Sequence, residues 1–205
     1  MNSFFLAPGE IANNKITPRF VLICFVLGAI AGTTGDFVHV ITNTDGYPAN
    51  GPFPFLPLIP VRMPVWVPFL FGSAMLLMGC SHKMLVGSYT PRLSGSTSFA
   101  IASLPLFIFI YACTGFVHAG TGSGQDIWLA AVAILLWWFA DRTFTGALLA
   151  VVNAIGGTLF EMFLVHAHGF FYYPEHANFF GVPSWLPWLY AVAGIVVSVF
   201  VRRVR

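Results

Sequence analysis

The chain has 205 residues, of which 58% are hydrophobic and only 8% are Asp, Glu, Lys or Arg, and its formal net charge is +2. Soluble domains carry about 25% charged residues, so the composition excludes a soluble globular protein and predicts an integral membrane protein. The small, scattered positive charge gives no basis for binding nucleic acid. Cys24, Cys80 and Cys113 all lie in apolar runs, which predicts packed free thiols rather than a disulfide framework.

Six apolar runs approach the length of about 20 residues that a membrane helix requires. We therefore predict an all-α fold, a polytopic bundle of six transmembrane helices that forms a single domain over residues 1–205. No run shows the alternation of a membrane barrel strand. The predicted helices span about 20–42, 63–84, 98–119, 125–140, 144–168 and 185–204.

The lysines and arginines predict how these helices are oriented. Of the 9 such residues, all except Arg62 fall before the first helix, at or in the even-numbered loops, or at the C-terminus. Positively charged loops stay on the cytoplasmic side, so both termini are expected to be cytoplasmic. The membrane would be the cell membrane in a prokaryote, or the endoplasmic reticulum membrane in a eukaryote.

Two of the predicted helices begin with the same pattern. Residues 64–71 and 183–190 both read Pro-x-Trp-apolar-Pro-aromatic-Leu-aromatic. The pattern indicates helical-hairpin repeats that pair helix 1 with 2, 3 with 4 and 5 with 6. Interface chemistry is an equal explanation, because Trp anchors helices at lipid headgroups and Pro is tolerated in the first turn. The loop 169–184 is rich in aromatic residues, which predicts an interfacial belt.

Ionisable side chains inside a bilayer cost several kcal/mol and therefore mark candidate sites. In this chain they occur late in the first, third and fifth helices, which all run outward in the predicted orientation. Asp36 lies about 24 Å of helical rise beyond Phe20, and Glu161 lies a similar distance beyond Phe144. We therefore expect one polar set in the outer half of the membrane. Its members are Asp36, His39, His118, Glu161, His166 and His168.

Three interpretations fit this polar set. It is the polar lining of a lipid pocket, a hydrogen-bonded network that joins helices, or a metal or catalytic centre. The last is the least favoured, because the sequence has no His-Glu-x-x-His motif. Asn153, with Gly156 and Gly157, is expected to unwind or bend the fifth helix. Gly28 and Gly32 form a G-x-x-x-G motif that suits either a dimer face or a contact within the chain.

Residues 136–146 read Leu-Trp-Trp-x-x-Asp-Arg-x-x-x-Gly, which resembles the Insig family, the membrane proteins of sterol feedback. The resemblance extends to the start of the second helix (66–72), the end of the third (115–119) and the start of the sixth (184–187). It covers about residues 18–205. The compact, Ala- and Gly-rich style of the chain suits a prokaryotic homologue.

The resemblance implies a regulatory membrane protein that is not an enzyme. Family members bind a sterol or another lipid in the membrane and use it to govern their association with partner membrane proteins. The Asp of the Trp-Trp motif serves partner binding in the family. It corresponds here to Asp141, with Trp137 one turn earlier, and the alternative role of Asp141 is to cap the fifth helix. The family's sterol-responsive Gln falls on Gly124, next to Gln125.

We expect the chain to hold a lipid, a glycerolipid such as diacylglycerol or a sterol, in a cavity between helices. It is expected to regulate membrane partners, to form a homo-oligomer and to need no cofactor. A membrane-embedded lipid-modifying metalloenzyme and a small-solute transporter are the alternatives. The predicted lipid-binding residues are Asp36, His39, Trp66, His118, Gln125, Glu161 and His166, and the predicted partner-binding residues are Trp137 and Asp141.

Overall fold

A computed structural model describes residues 15–57, 60–86, 97–116 and 122–202. Within these ranges the chain forms six α-helices and one short antiparallel ribbon, so the predicted all-α polytopic fold is confirmed. The helices are α1 (Pro18–Ile41), α2 (Trp66–Val86), α3 (Thr97–Phe116), α4 (Gly122–Leu136), α5 (Phe144–His166) and α6 (Leu186–Val201). A π-helical turn at Trp137–Asp141 follows α4, and the ribbon consists of β1 (Asp45–Gly46) and β2 (Phe171–Tyr172).

Three of the described segments are long and apolar enough to cross a membrane. They are α1, residues Phe99–Phe116 of α3, and α5, while α6 is a shorter apolar helix. α6 lies at the centre of the bundle, where it contacts α2, α3, α4 and α5. Every residue from Ala191 to Val201 is buried. This segment has no charged residue and consists mostly of small and β-branched side chains, so the other helices can surround it closely.

The helices pair only partly as hairpins. The most extensive contacts join α1 to α2 and α5 to α6, as the repeat predicts. The predicted pairing of the third helix with the fourth is wrong for the described residues, because α3 packs on α1 and α6, and α4 packs on α6. α5 remains α-helical through Gly156 and Gly157, so the expected unwinding of this helix does not occur.

The close approach of α1 to α2 requires glycine on α1. A Cβ atom added at Gly28 would lie 2.5 Å from the Cβ of Met75, and one at Gly32 would lie 2.1 Å from the ring of Phe71. Both distances are far shorter than any ordinary van der Waals contact. The G-x-x-x-G motif therefore packs within the chain and does not form a dimer face.

The β-ribbon closes one end of the bundle. Asp45 pairs with Tyr172 and Gly46 with Phe171, so the ribbon ties the loop after α1 to the loop after α5. We call this the ribbon end, and we call the opposite end, where α4 meets α5, the arginine end.

The aromatic loop after α5 is only in part the predicted interfacial belt. Phe171 and Phe180 are exposed, as a belt requires. Phe170 and Tyr172 are each only 7% exposed, because they turn inward under the ribbon. This loop therefore contributes to the interior of the bundle as well as to its surface.

Candidate functional site

A cavity of about 520 Å³ lies among α1, α2, α3, α5 and α6 and reaches the ribbon end. Its volume falls within the range of about 300–1,000 Å³ that is typical of small-molecule sites. Most of the wall is apolar, and the lining includes Leu77 of α2 with Val152 and Phe160 of α5. Because these three side chains are also exposed on the surface, the cavity opens sideways between α2 and α5.

Most of the polar residues of the cavity, including all of its carboxyl groups, collect at the ribbon end. They are Asp36, Asp45, Tyr47, Trp66, Tyr111, Glu161, Tyr172 and Tyr190. None of the described lining residues is Lys or Arg. The polar end of the cavity is therefore rich in carboxyl groups and hydroxyl groups, and no basic side chain balances the carboxyls.

Two of the carboxyl groups are held by tyrosine hydroxyls. Tyr47 donates to Asp36 Oδ2 at 2.7 Å. Tyr190 donates to Glu161 Oε1 at 2.6 Å, and Tyr172 donates to Glu161 Oε2. Buried polar groups are almost always hydrogen-bonded, and these three bonds satisfy carboxyls that an apolar bundle would otherwise exclude.

The third carboxyl group, that of Asp45, belongs to a different network. Thr114 Oγ1 donates to the carbonyl oxygen of Tyr111 at 2.6 Å, so its oxygen is left to accept from His39 Nε2 at 2.7 Å. This arrangement assigns a proton to Nε2 of His39. The other ring nitrogen, Nδ1, lies 3.5 Å from Asp45 Oδ2.

Asp45 therefore approaches His39 with its Oδ2 and is also one of the residues that line the cavity. Burial raises the pKa of the Asp45 carboxyl well above 3.8, and the nearby carboxyl of Glu161 raises it further. The second oxygen, Oδ1, is buried and has no hydrogen-bond partner among the described residues. A buried acceptor without a partner costs on the order of 1–3 kcal/mol, which makes this oxygen a candidate contact for a ligand.

The predicted lipid-binding residues fall in different places. Those that line the cavity are Asp36, Trp66 and Glu161. His39 is buried behind Asp45, and Gln125 supports the same network by donating to the carbonyl oxygen of Thr114 at 2.8 Å. His166 is exposed and its ring bonds back to α5, away from the cavity lining. His118 lies outside the described residues.

Sequence reasoning missed Asp45 and the four tyrosines. Asp45 and Tyr47 lie in a Gly- and Pro-rich loop, where no helical period predicts which side chains turn inward. Tyr111 and Tyr190 carried a usable signal, because a hydroxyl in an apolar membrane helix usually needs a partner. The pairing of the ribbon brings Asp45 beside Tyr172 across a long stretch of chain.

A second buried polar cluster lies at the arginine end. Asp141 is 0% exposed, and its Oδ1 lies 3.0 Å from Nη1 of Arg202. Thr143 is the N-cap of α5, because its side chain accepts from the N–H of Gly146 at 2.9 Å. The capping role expected for Asp141 is therefore wrong: Asp141 instead accepts from the backbone N–H and the hydroxyl of Thr143. Trp137 is half-buried and donates to the carbonyl oxygen of Thr143 at 2.9 Å.

Among the described residues, no group of three or more His, Cys, Asp and Glu side chains is arranged to hold a metal ion. The fold and its internal cavity define a multi-pass membrane protein with an internal cavity that is rich in carboxyl groups at one end.

The known proteins that this chain resembles in sequence are Insig proteins. No protein-family model matches the chain. The INSIG protein homolog of Mycolicibacterium vanbaalenii is 29% identical over 177 residues, which cover 86% of this chain and 82% of that protein. The insulin-induced gene 1 protein of Danio rerio is 25% identical over 180 residues, covering 86% of this chain and 68% of that protein.

Two solved structures of an Insig homologue also superpose on this chain. The crystal structure of MvINS, a mycobacterial Insig homolog from Mycobacterium vanbaalenii, is 27% identical in sequence and superposes with a TM-score of 0.81 over 92% of this chain and 95% of that one. A cross-linked trimer of an MvINS variant has a TM-score of 0.82 and 28% identity, with the same shares covered. The chain is thus similar in sequence and in fold to Insig proteins, including a bacterial homologue, in agreement with the resemblance that its motifs indicate. Similarity to these Insig proteins supports a regulatory membrane protein rather than an enzyme.

Proposed function

We propose that the chain is a lipid sensor that binds a neutral lipid with a free hydroxyl group in the cavity between α2 and α5. The observation that carries this proposal is Asp45 Oδ1, a buried acceptor without a partner at the polar end of an otherwise apolar cavity. The lipid hydroxyl donates to this oxygen, and the hydrocarbon part lies along the apolar wall. The favoured ligand is a glycerolipid such as diacylglycerol, and a sterol is the second candidate.

The charges around the cavity argue for a neutral ligand. Asp36, Asp45 and Glu161 all line it, and none of the described lining residues is basic. A phosphate group in this position would be buried among carboxyl groups without a compensating cation, and burying an unpaired charge costs several kcal/mol. Membrane phospholipids with a phosphate headgroup are therefore poor ligands, although they are abundant around the protein.

The sideways opening supports a ligand that arrives from the bilayer. A lipid enters between α2 and α5 without leaving the membrane, because both sides of the opening are apolar. A small polar solute would instead need a route to water, and an apolar opening in the bilayer provides none.

Filling the cavity tests this proposal. Gly156 lines the cavity, and a Cβ atom added there meets nothing within 4 Å, so Gly156→Phe is the substitution chosen to fill the cavity with a ring. The adjacent Ile155 is 59% exposed and is absent from the cavity lining, so Ile155→Phe is the matched control. Both variants are purified, and the lipid that they retain is extracted and identified by mass spectrometry. We expect the parent and Ile155→Phe to retain a neutral lipid and Gly156→Phe to lose it; equal retention in all three would refute the proposal.

Binding of this lipid is proposed to regulate membrane partners through the arginine end. Asp141 is fully buried, so it acts on a partner by holding the turn that presents the exposed side chains of Trp138 and Phe139. Trp137 supports the same turn from inside through its bond to Thr143. If the turn is the contact, Phe139→Ala reduces chemical cross-linking to a membrane partner while lipid retention is unchanged. Loss of both properties together would contradict separate roles for the cavity and the turn.

We further propose that the chain is a homo-oligomer with both termini in the cytoplasm. The trimer of the MvINS variant supports the first statement and the distribution of Lys and Arg supports the second. Native mass spectrometry in lipid nanodiscs tests the oligomer, and a strictly monomeric mass would exclude it. A topology reporter fused to the C-terminus tests the orientation, and activity on the outer side of the membrane would exclude it.

A further inference from the structure

The apolar depth of the cavity contains one amide side chain. Asn153 lies on α5, eight residues before Glu161, which corresponds to about 12 Å of helical rise. It lines the cavity together with apolar and glycine neighbours such as Val152 and Gly156. The carboxyl and tyrosine groups of the ribbon end are therefore about two helical turns away from it.

The amide of Asn153 is not satisfied by the protein. Its Nδ2 atom is buried and has no hydrogen-bond partner among the described residues. A buried amide without a partner costs on the order of 1–3 kcal/mol in proteins. Asn side chains in membrane helices usually hydrogen-bond to a neighbouring helix, and the absence of such a partner for Nδ2 in the cavity wall points to a ligand.

Glycine residues lie on both sides of the Asn153 amide, one on α6 and one on α5. On the side of α6, a Cβ atom added at Gly194 would lie 2.7 Å from Nδ2, so glycine is needed for the amide to fit. One turn further along α5, the space in front of Gly156 is empty to at least 4 Å. The amide thus lies between the backbone of α6 and free space in the cavity.

We propose that Asn153 forms a second polar subsite, which binds an oxygen in the middle of the hydrocarbon part of the ligand. The ligand class is a neutral lipid whose acyl chain carries a hydroxyl group near mid-chain. A hydroxyl both donates and accepts, so it matches the amide in either of the two orientations related by a half rotation of the side chain. The ester oxygens of a glycerolipid lie next to its free hydroxyl and cannot reach a group about 12 Å from the ribbon end. This inference rests on the lipid binding proposed above.

A series of matched lipids tests the subsite. Monoacylglycerols are prepared that differ only in a chain hydroxyl, which is absent, near the ester, at mid-chain or at the far end. Delipidated protein in nanodiscs is offered equal amounts of all four, and the bound lipids are counted by mass spectrometry. One additional hydrogen bond predicts that the mid-chain hydroxyl is enriched roughly fivefold over the unmodified chain.

Two substitutions assign the preference to the amide. Asn153→Leu keeps the size of the side chain and should bring the enrichment to about one while leaving the binding of the unmodified lipid intact. Asn153→Ala serves if the first variant does not fold. Val152→Ala, the neighbouring apolar position in the lining, should keep the preference.

The outcomes separate this inference from the proposed function. Equal binding of all four lipids by the parent would overturn the subsite and leave lipid binding in place, as would a preference that survives in Asn153→Leu. A parent protein that binds none of the four would overturn both. Enrichment of the mid-chain hydroxyl that disappears only in the Asn153 variants supports the subsite.

Discussion

Removing the charge of Asp141 should destabilise the chain strongly. The carboxylate is 0% exposed and Arg202 is 8% exposed, and their closest atoms are 3.0 Å apart. Asp141→Asn keeps an oxygen for the N–H of Thr143, so the main loss is the negative charge opposite Arg202. Breaking a buried ion pair by removing one charge typically costs 3–5 kcal/mol, and because Asn retains a polar contact we expect about 3 kcal/mol.

A double-mutant cycle in detergent micelles measures this effect. The free energy of unfolding is followed by tryptophan fluorescence for the parent, Asp141→Asn, Arg202→Met and the double variant. If the pair is coupled, the double variant loses at least about 2 kcal/mol less than the sum of the two single losses. Glu175→Gln removes a carboxylate from an exposed loop position and should change stability by less than about 0.5 kcal/mol.

A substitution at Gly146 tests the ion pair between Asp141 and Arg202 independently. A Cβ atom at this position would lie 1.8 Å from Asp141 Oδ2, so Gly146→Ala must push the carboxylate away from Arg202. We expect a loss of similar size, and little further loss when Gly146→Ala is added to Asp141→Ala. A parent-like stability for Gly146→Ala, or strictly additive effects in the cycle, would refute the buried ion pair as a stabilising contact.

Three further predictions concern the rest of the bundle. Gly32→Leu should cost at least about 1–3 kcal/mol, because its Cβ would lie 2.1 Å from Phe71, and unfolding in detergent measures it. Tyr190→Phe should cost about 1–2 kcal/mol in the same assay, because it removes one of the two hydroxyls that donate to Glu161. The pKa of Asp45 is raised above 3.8, so the folded chain holds this proton more tightly than the unfolded chain. Its contribution to stability is therefore present below about pH 3.8 and is lost as the pH rises through the raised folded pKa, and Asp45→Asn should flatten that part of the pH profile.

The helices were predictable because a bilayer imposes one length and one polarity on every span. α5, for example, begins at Phe144, where the predicted run begins. Depth along the helices also predicted correctly that Asp36 and Glu161 lie near each other, since both line the same cavity.

Depth alone did not predict which side chains face inward. His166 follows Glu161 by five residues, which turns it about 140° around the helix, and it is exposed while Glu161 is buried. The role of Asp45 could not be predicted from the sequence for a different reason. A two-residue ribbon has no periodic signal, and its register comes from tertiary pairing with Tyr172. The most informative acceptor of the cavity therefore appears only in three dimensions.

The chemistry of the headgroup offers the most direct test of the lipid site. Purified, delipidated protein is offered equal amounts of diacylglycerol and phosphatidic acid with identical acyl chains, and bound lipid is measured by native mass spectrometry. The three carboxyl groups and the unpaired oxygen of Asp45 predict one diacylglycerol bound per chain and little or no phosphatidic acid. Binding of phosphatidic acid as strongly as diacylglycerol, or binding of neither, would contradict the account.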